Sequence, residues 1–323
     1  MPSLRLLLLA SACAIAGSER CTGEEFPAWA YVVSEPLPPG VKARVDDGLP
    51  MHVPDSTAGF TRHQIEAHQS VVPDWHPGDH PEMPQIVKSG REPKVWACGY
   101  CHLPTGAGRP ENASLAGLTP GYIKQQVANF KGGRRPGSEP KRGPQNTMIA
   151  IATALSDDEV AQAAAYFASI KPESYVKVIE SETVPRSYVA GAMLARMPDG
   201  SQEPLGGRII EMPDDIDRAD KRDSRTPYVA FVPEGSIKRG EALVKTGAAG
   251  KTLLCMTCHG PGLNGLVDFP RLAGRSPSYL MRQLYDFKAG TRVDTTGLMK
   301  VVVAKLTQDD MVSIAAYLSS LRP

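Results

Sequence analysis

The sequence predicts a mainly α-helical protein in which one small domain occurs twice in tandem. Three observations support this: a five-residue motif that occurs twice, a set of matching residues that follows each copy, and a capped helix that closes each copy. A proline-rich arm precedes the first copy, and a short β-rich segment separates the two. The predicted fold class is therefore mainly α, with an arm and a small β element added.

The repeated motif is Cys-x-x-Cys-His, at residues 98–102 and 255–259. Two thiols on one helical turn can add to the two vinyl groups of haem, and the adjacent histidine can then reach the iron as its proximal ligand. We therefore expect two covalently attached c-type haems. The expected attachment residues are Cys98, Cys101, Cys255 and Cys258, and the expected proximal ligands are His102 and His259.

The two copies match residue by residue beyond the motif. The triplet Leu-Ala-Gly at 115–117 recurs at 272–274, and the offset of 157 residues continues to Phe130 and Phe287. It then falls to 151 residues at Tyr166 and Tyr317, so the first copy carries six additional residues in the loop before its methionine. A register that survives a change in loop length indicates one fold duplicated in tandem.

A methionine follows each motif at a similar distance. Met148 lies 46 residues after His102, and Met299 lies 40 residues after His259. A thioether on the distal side gives a His/Met iron, which favours the reduced state and suits electron transfer. We expect both irons to be fully coordinated. An enzyme would need an open iron position, so this pattern favours an electron carrier.

Other interpretations of these residues exist. The two cysteine pairs could form one four-cysteine zinc site, or either pair could be a thioredoxin-type redox motif. Neither explains the histidine after each pair or the methionine spaced after it. A methionine at helical spacing often packs in a core, and Met281 and Met311, which have no counterpart in the first copy, are interpreted in this way.

The N-terminus indicates export. Residues 1–16 combine a short basic start, an apolar run and an Ala-x-Ala cleavage site, which predicts a signal peptide and a mature start at Gly17 in the periplasm. A poor lipobox ending at Cys13 makes a lipid anchor the alternative. Cys21 is interpreted as a tolerated free thiol. No other stretch is long enough for a membrane helix.

The chain is expected to divide into a proline-rich arm (17–82), a first haem domain (83–171), a β-rich segment (172–235) and a second haem domain (236–323). In the arm we expect one short helix, Thr61–Gln69, and solvated surface histidines at His76 and His80 rather than ligands. The closing helices are predicted from capping boxes that begin at Ser156 and Thr307. The opening helix of the second domain, Ile237–Val244, should pack against its closing helix.

The segment between the domains carries strand patterns and one run of mixed charge. The expected strands are Tyr175–Ile179, Tyr188–Met197, Arg208–Met212 and Tyr228–Val232. The charged run Asp214–Arg225 is interpreted as a solvated loop. We expect a small β element that fixes the angle between the haem domains.

Basic residues surround the six-residue insertion of the first copy: Lys131, Arg134, Arg135, Lys141 and Arg142. They are interpreted as a solvated loop whose cations offset haem propionates. The alternative is a docking patch for an acidic redox partner. The formal net charge of +1 gives no indication of nucleic-acid binding.

These features resemble the tandem two-haem class I cytochromes c of the bacterial periplasm, the c-four kind. The resemblance covers residues 85–170 and 236–321 and rests on CGYCH with NTMIAIATALSDDEV, and on CMTCH with TGLMKVVVAKLTQDDM. It implies helical domains, each around one covalent haem with an exposed edge. In the family a proline before Leu-Ala-Gly offers a carbonyl that orients the proximal histidine. Pro270 fits this pattern, and Ala113 stands in the first copy.

The resemblance implies transfer of single electrons between a dehydrogenase or membrane complex and a terminal acceptor such as an oxidase. One alternative is a permanent cytochrome subunit of a periplasmic dehydrogenase. Another is a haem oxidoreductase that acts on a small substrate.

Overall fold

A computed structural model of the protein describes residues 25–323. The predictions for the signal peptide, the mature start at Gly17, Cys13 and Cys21 lie outside the described residues. None of the described helices combines the length and the hydropathy needed to cross a bilayer.

The arm contains one short helix, α1 (Arg62–Glu66). Thr61 caps it through a capping box with Gln64, as expected of a polar residue before a helix. The helix ends before the predicted Gln69, since Ala67 is extended. The arm is packed against the rest of the protein: Tyr31 lies in the core of the second helical unit, and Trp75 belongs to a small apolar cluster with Ile65.

The two histidines predicted to be solvated are not on the surface. His76 is buried and its Nε2 lies 3.0 Å from Asp223 Oδ1. The side chain of His80 is almost fully covered, and its Nε2 lies 3.1 Å from Asp74 Oδ1. The prediction was wrong because the arm folds back onto the chain, so these imidazoles gain carboxylate partners that compensate for lost hydration.

The first helical unit begins at residue 85. Apolar side chains from several of its helices form the core of this unit, and Phe167 is fully buried there. Ser156 and Glu159 form the predicted capping box at the start of the closing helix. The helices are α2 (Gln85–Lys88), α3 (Cys98–His102), α4 (Pro120–Lys131), α5 (Gly143–Ala154) and α6 (Asp157–Ser169).

Seven strands and one helix follow: β1 (Val176–Glu180), β2 (Thr183–Pro185), β3 (Ser187–Ala190), β4 (Met193–Arg196), β5 (Gln202–Pro204), β6 (Ile210–Pro213), α7 (Ile216–Asp220) and β7 (Tyr228–Val232). β7 is the centre of a three-stranded sheet, parallel to β1 and antiparallel to β6. β2 pairs with β5, and β3 pairs with β4. Most of the predicted strands are confirmed to within two residues.

Two predictions for this segment were wrong. The stretch 188–197 is not one strand, because Gly191 adopts φ +68° and turns the chain into the β3–β4 hairpin. The charged run 214–225 is not a solvated loop. It contains α7, and Asp223 is buried between His76 and Arg218.

The second helical unit repeats the first with a longer opening helix: α8 (Ser236–Thr246), α9 (Met256–His259), α10 (Pro277–Ala289), α11 (Leu298–Val303) and α12 (Gln308–Ser320). α8 packs against α12, as predicted. The two backbones approach so closely at Gly240 that a Cβ there would lie 1.9 Å from Ser313 O. Met281 and Met311 are fully buried, which confirms their packing role.

Candidate haem sites and the interface between them

The two motif histidines have the same local geometry. His102 Nδ1 lies 2.8 Å from Ala113 O, and His259 Nδ1 lies 2.8 Å from Pro270 O. Burial lowers the pKa of both imidazoles. A neutral ring that donates from Nδ1 leaves Nε2 free to bind a metal. The carbonyl is therefore preserved in the first copy although the proline is not.

The motif cysteines are partly buried and unpaired. Burial raises the pKa of the Cys98 thiol to about 12 and that of Cys255 to about 11. Redox-active Cys-x-x-Cys motifs instead depend on a lowered thiol pKa. Within residues 25–323, no three His, Cys, Asp or Glu side chains come together as a metal site. The structure therefore supports neither the thioredoxin-type interpretation nor the four-cysteine zinc site.

A cavity of about 380 Å³ lies beside the first motif and is lined by Cys98, Cys101, His102 and Met148. Ligand pockets commonly measure about 300–1,000 Å³. The remaining lining is largely apolar and includes Phe130, Leu155 and Phe167. The structure thus brings the predicted residues of the first copy to one cavity. In the second copy, Cys255 and Met299 both pack against the core of the second helical unit, and His259 is buried.

Four buried arginines also line this cavity: Arg135 and Arg142 from the first helical unit, and Arg275 and Arg282 from the second. Their hydrogen-bond partners in the described part of the chain are carbonyl and amide oxygens and, for Arg135, also the Tyr279 hydroxyl. Arg142 Nε has no partner there. One buried carboxylate, that of Glu111, also lines the cavity and pairs with Arg109. Buried cations that outnumber their counter-charges are costly, so the cavity favours an anionic ligand.

The buried arginines also change the pKa of a neighbouring hydroxyl, that of Tyr279. Burial alone would raise the pKa of Tyr279, yet Arg135, Arg292 and Arg275 hold it down to about 7. The buried guanidinium of Arg142 has its own pKa lowered to about 9, first by burial and then by Arg282. The Tyr279 shift has the direction expected beside several positive charges, whereas the Arg142 shift follows first from burial.

Two arginines form a symmetric connection between the helical units. Arg135 donates to Gln126 Oε1 at 3.0 Å and to Gln283 Oε1 at 2.9 Å. Arg292 donates to the same two oxygens, at 3.0 Å for Gln126 and 2.9 Å for Gln283. Each pair of residues is separated by the repeat offset of 157, so equivalent surfaces of the two copies face each other, as in an isologous dimer. Sequence reasoning assigned Arg135 to the basic insertion and missed both Arg292 and the pairing of the two arginines, although the offset marks them as equivalent.

The prediction of a wholly solvated basic loop was wrong for two of its five cations. Arg135 and Arg142 are buried and lie neither in a solvated loop nor on a docking patch, whereas Lys131, Arg134 and Lys141 are exposed. The two arginines turn inward because the first cavity and the second helical unit together supply oxygen partners.

The residues present fit a covalent haem at the first cavity. The two thiols and the imidazole stand on one helix, α3, and the Met148 thioether lines the same cavity together with Arg135 and Arg142. The apolar lining suits the macrocycle, and the unmatched guanidiniums suit its two propionate carboxylates.

No protein-family model matches this sequence. Cytochrome c4 from Pseudomonas aeruginosa is 27% identical over 234 residues, which is 71% of this chain and 85% of that protein. Cytochrome c-554(547) from Halothiobacillus neapolitanus is 32% identical over 87 residues, 23% of this chain and 96% of that protein.

The chain belongs to the c4-like two-haem cytochromes c. It carries two covalently attached c-type haems and functions in electron transfer. A third relative, from Stutzerimonas stutzeri, is named "Thiosulfate dehydrogenase electron acceptor". It is 26% identical over 239 residues, which is 73% of this chain and 83% of that protein.

Proposed function

We propose that this cytochrome carries single electrons between protein partners in the periplasm, with His102 and Met148 as axial ligands of one iron and His259 and Met299 as those of the other. The observation that carries the proposal is the convergence of Cys98, Cys101, His102 and Met148 on one cavity. The matching histidine–carbonyl bonds support equivalent roles in the second copy.

Haem, when bound, supplies a one-electron iron couple, and His/Met ligation raises its potential. The chain's own residues would orient and insulate that couple. Ala113 and Pro270 would hold the imidazole planes through their carbonyls. The buried arginines would neutralise the propionates, and the apolar lining would exclude water from the iron.

Ligation is tested by mass and spectrum. The denatured chain should keep the mass of two haems, and replacing both Cys98 and Cys101 with Ser should remove one. Met299→His should abolish half of the weak red-region band of an iron–thioether bond and lower the potential of that haem. Bis-histidine or high-spin iron at either wild-type site would contradict the assignment for that site.

A permanent subunit of a dehydrogenase is the second candidate, because one relative is named as the electron acceptor of such an enzyme. A free carrier should exchange electrons rapidly with candidate oxidases and dehydrogenases and should lose association as salt rises, since exposed charges are screened over about 10 Å at 0.1 M. Stable co-purification with a dehydrogenase through high salt would favour the subunit.

A haem oxidoreductase is the third candidate, and ligation decides it. Two fully coordinated irons predict negligible turnover of small substrates by the isolated protein. Turnover that is lost when cyanide occupies one iron would replace the carrier proposal with an enzyme.

Export is part of the proposal and has its own test. The chain isolated from periplasm should begin at Gly17 and should leave the membrane fraction without detergent. A lipid-modified Cys13 at the N-terminus would instead show a membrane-anchored form.

A further inference from the structure

Residues 215–226, here called the cap, cover the first Cys-x-x-Cys-His helix. Arg222 Nη1 donates to Tyr100 O at 2.8 Å, and its guanidinium carbon lies 3.5 Å from the centre of the Tyr100 ring. Tyr100 is one of the two residues between the motif cysteines. Arg222 has φ +59°, a conformation that costs energy for a residue with a side chain and that often occurs at functional positions.

The arm fixes the cap at several points. Asp220 pairs with both Arg44 and Arg62, and Arg62 lies at 2.6 Å. Trp75 Nε1 donates to Lys221 O at 2.8 Å.

Two further ion pairs hold the second half of the cap. Asp223 lies 3.0 Å from His76, and Arg225 lies 2.6 Å from Asp79. Several of these partners are buried, so the cap is packed structure and not a loose loop. Asp220 and Arg222 also line the first cavity, together with Arg44 and Glu66 of the arm.

Within residues 25–323, the second motif has no such cover. Equivalent positions of the two repeats can be compared directly through the offset of 157 residues. Ala97 is 2% exposed, whereas its counterpart Leu254 is 45% exposed. Gly99 is buried, whereas Met256 is 39% exposed.

The contrast continues beyond the motif. Pro110 is buried, whereas its counterpart Val267 is 76% exposed. Leu253 and Leu266 extend the exposed apolar surface around the second motif. Large exposed apolar patches are rare on soluble proteins unless they serve contact with another molecule. The difference therefore lies in what surrounds the motifs, since the two repeats share one fold.

We propose that the cap and the arm close the thioether edge of the first haem, so that external oxidants and reductants exchange electrons at the second haem. The first haem is then reached across the interface that contains Arg135 and Arg292. Electron tunnelling falls steeply with distance, and a packed layer of side chains over one edge therefore makes the uncovered haem the point of exchange. This inference rests on the proposed function.

The first test measures accessibility and not activity. In the fully reduced holoprotein, the thioether methyl protons of each haem are assigned by contacts to the neighbouring motif residues, and a soluble gadolinium chelate is added. We expect relaxation enhancement at the first haem to be several-fold smaller than at the second. Equal enhancement at the two haems in the wild-type protein would overturn the proposal.

A variant then opens the cap. Arg222→Gly removes the guanidinium at a backbone conformation that glycine adopts without strain, and it should raise enhancement at the first haem alone. Asp220→Asn, which weakens the contacts with Arg44 and Arg62, serves as a second opening variant. Arg196→Ala is the matched control, because it removes an exposed ion pair with Asp214 that lies outside the cap. No change in either opening variant would show that the cap does not protect this edge.

Stopped-flow oxidation of the reduced protein by ferricyanide gives the functional readout. In the wild-type protein one phase should rise linearly with oxidant concentration, and the other should reach a plateau set by transfer between the haems. Arg222→Gly should make the second phase linear as well. Two linear phases in the wild-type protein would contradict the route. A failure of the His/Met assignment would instead appear in the spectra and would leave the accessibility difference measurable.

Discussion

Two basic residues that are adjacent in the sequence, Lys141 and Arg142, differ in whether their charge is buried. Lys141 is exposed, and Arg142, the next residue, is buried at the first cavity with an unpartnered Nε. A charge in a low-dielectric interior acts on its surroundings far more strongly than the same charge in water. Arg142 should therefore influence the first haem, and Lys141 should not.

Arg142→Gln should lower the reduction potential of the first haem by tens of millivolts. Loss of a nearby positive charge stabilises the oxidised iron relative to the reduced iron. Unit charges about 10–15 Å apart interact by about 1–2 kcal/mol at an effective dielectric constant of about 20, and about 1.4 kcal/mol corresponds to about 59 mV for a one-electron couple. Spectroelectrochemical titration of the two haems measures the shift. Lys141→Gln makes the same formal charge change on the surface and should leave both potentials nearly unchanged. Equal shifts in the two variants would contradict the role given to burial.

Sequence reasoning reached the side chains with local signatures and missed those whose role depends on distant partners. His102 and its cysteines are contiguous, so the motif alone predicts their chemistry. The partner of His76 is Asp223, 147 residues away, and no local pattern encodes that pairing. Arg142 likewise turns inward only because Glu111 O and the cavity wall lie beside it.

Helix contacts in the second unit depend on one small residue. A Cβ at Gly240 would lie within 3 Å of both the Ser313 carbonyl and Tyr317 Cβ. Gly240→Ala should destabilise the holoprotein by about 1–3 kcal/mol, the usual cost of overpacking. Urea unfolding monitored by circular dichroism measures the change. Gly143→Ala, at an open position with negative φ, is the control and should be neutral or slightly stabilising.

The closing helix of the first unit should show a measurable acid sensitivity. The hydrogen bond from Arg91, supported by Ser156, lowers the pKa of Glu159 from 4.5 to about 2. A carboxyl with a depressed folded-state pKa contributes stability above its unfolded pKa, and this stability is lost as pH falls from about 4.5 to about 2. Glu159→Gln should reduce the loss of stability over that range, by a small amount because Arg91 is exposed to solvent.

Unfolding midpoints measured between pH 5 and pH 2 test this prediction. Asp157→Asn, in the same helical turn but outside the Arg91 ion pair, is the control. Identical acid profiles for wild type and Glu159→Gln would contradict the ion pair's contribution.

At the scale of elements, the sequence predicted the closing helices of both copies accurately and the strands less accurately. Capping boxes at Ser156 and Thr307 located both closing helices, because the capping residues act on their own helix. The hairpin at Gly191 was missed because an apolar run with one glycine fits either a continuous strand or a turn, and only the pairing of β3 with β4 decides.

The whole molecule can be described as a covalently joined pseudo-symmetric dimer with an asymmetric cover. Arg135 and Arg292, with Gln126 and Gln283, place equivalent faces of the two copies together. Among residues 25–323, the cap and the part of the arm around Arg44 and Glu66 lie over the first site and leave the second motif exposed. Symmetry was detectable in the sequence, whereas the asymmetry was not, because neither added segment carries a repeat or a motif that locates it on the fold.

The arginine–glutamine connection should make the two haem units unfold together. Each arginine donates to both glutamines, and Arg292 also donates to Tyr122 Oη at 3.0 Å. Hydrogen bonds with one charged partner are worth about 1.5–3 kcal/mol each. Replacing both Arg135 and Arg292 with Gln removes the bridges while retaining polar side chains.

We expect one thermal transition for the wild-type holoprotein and two separated transitions for the double variant, monitored by Soret absorbance and by circular dichroism. Each single variant should shift the transition by less than half of the double variant's effect, because either arginine alone still joins Gln126 to Gln283 and the loss is therefore non-additive. Arg134→Gln together with Lys141→Gln changes the same number of charges on the surface and should leave one transition. A single transition in the Arg135/Arg292 double variant would show that the cap and the arm, rather than the symmetric interface, unite the two halves.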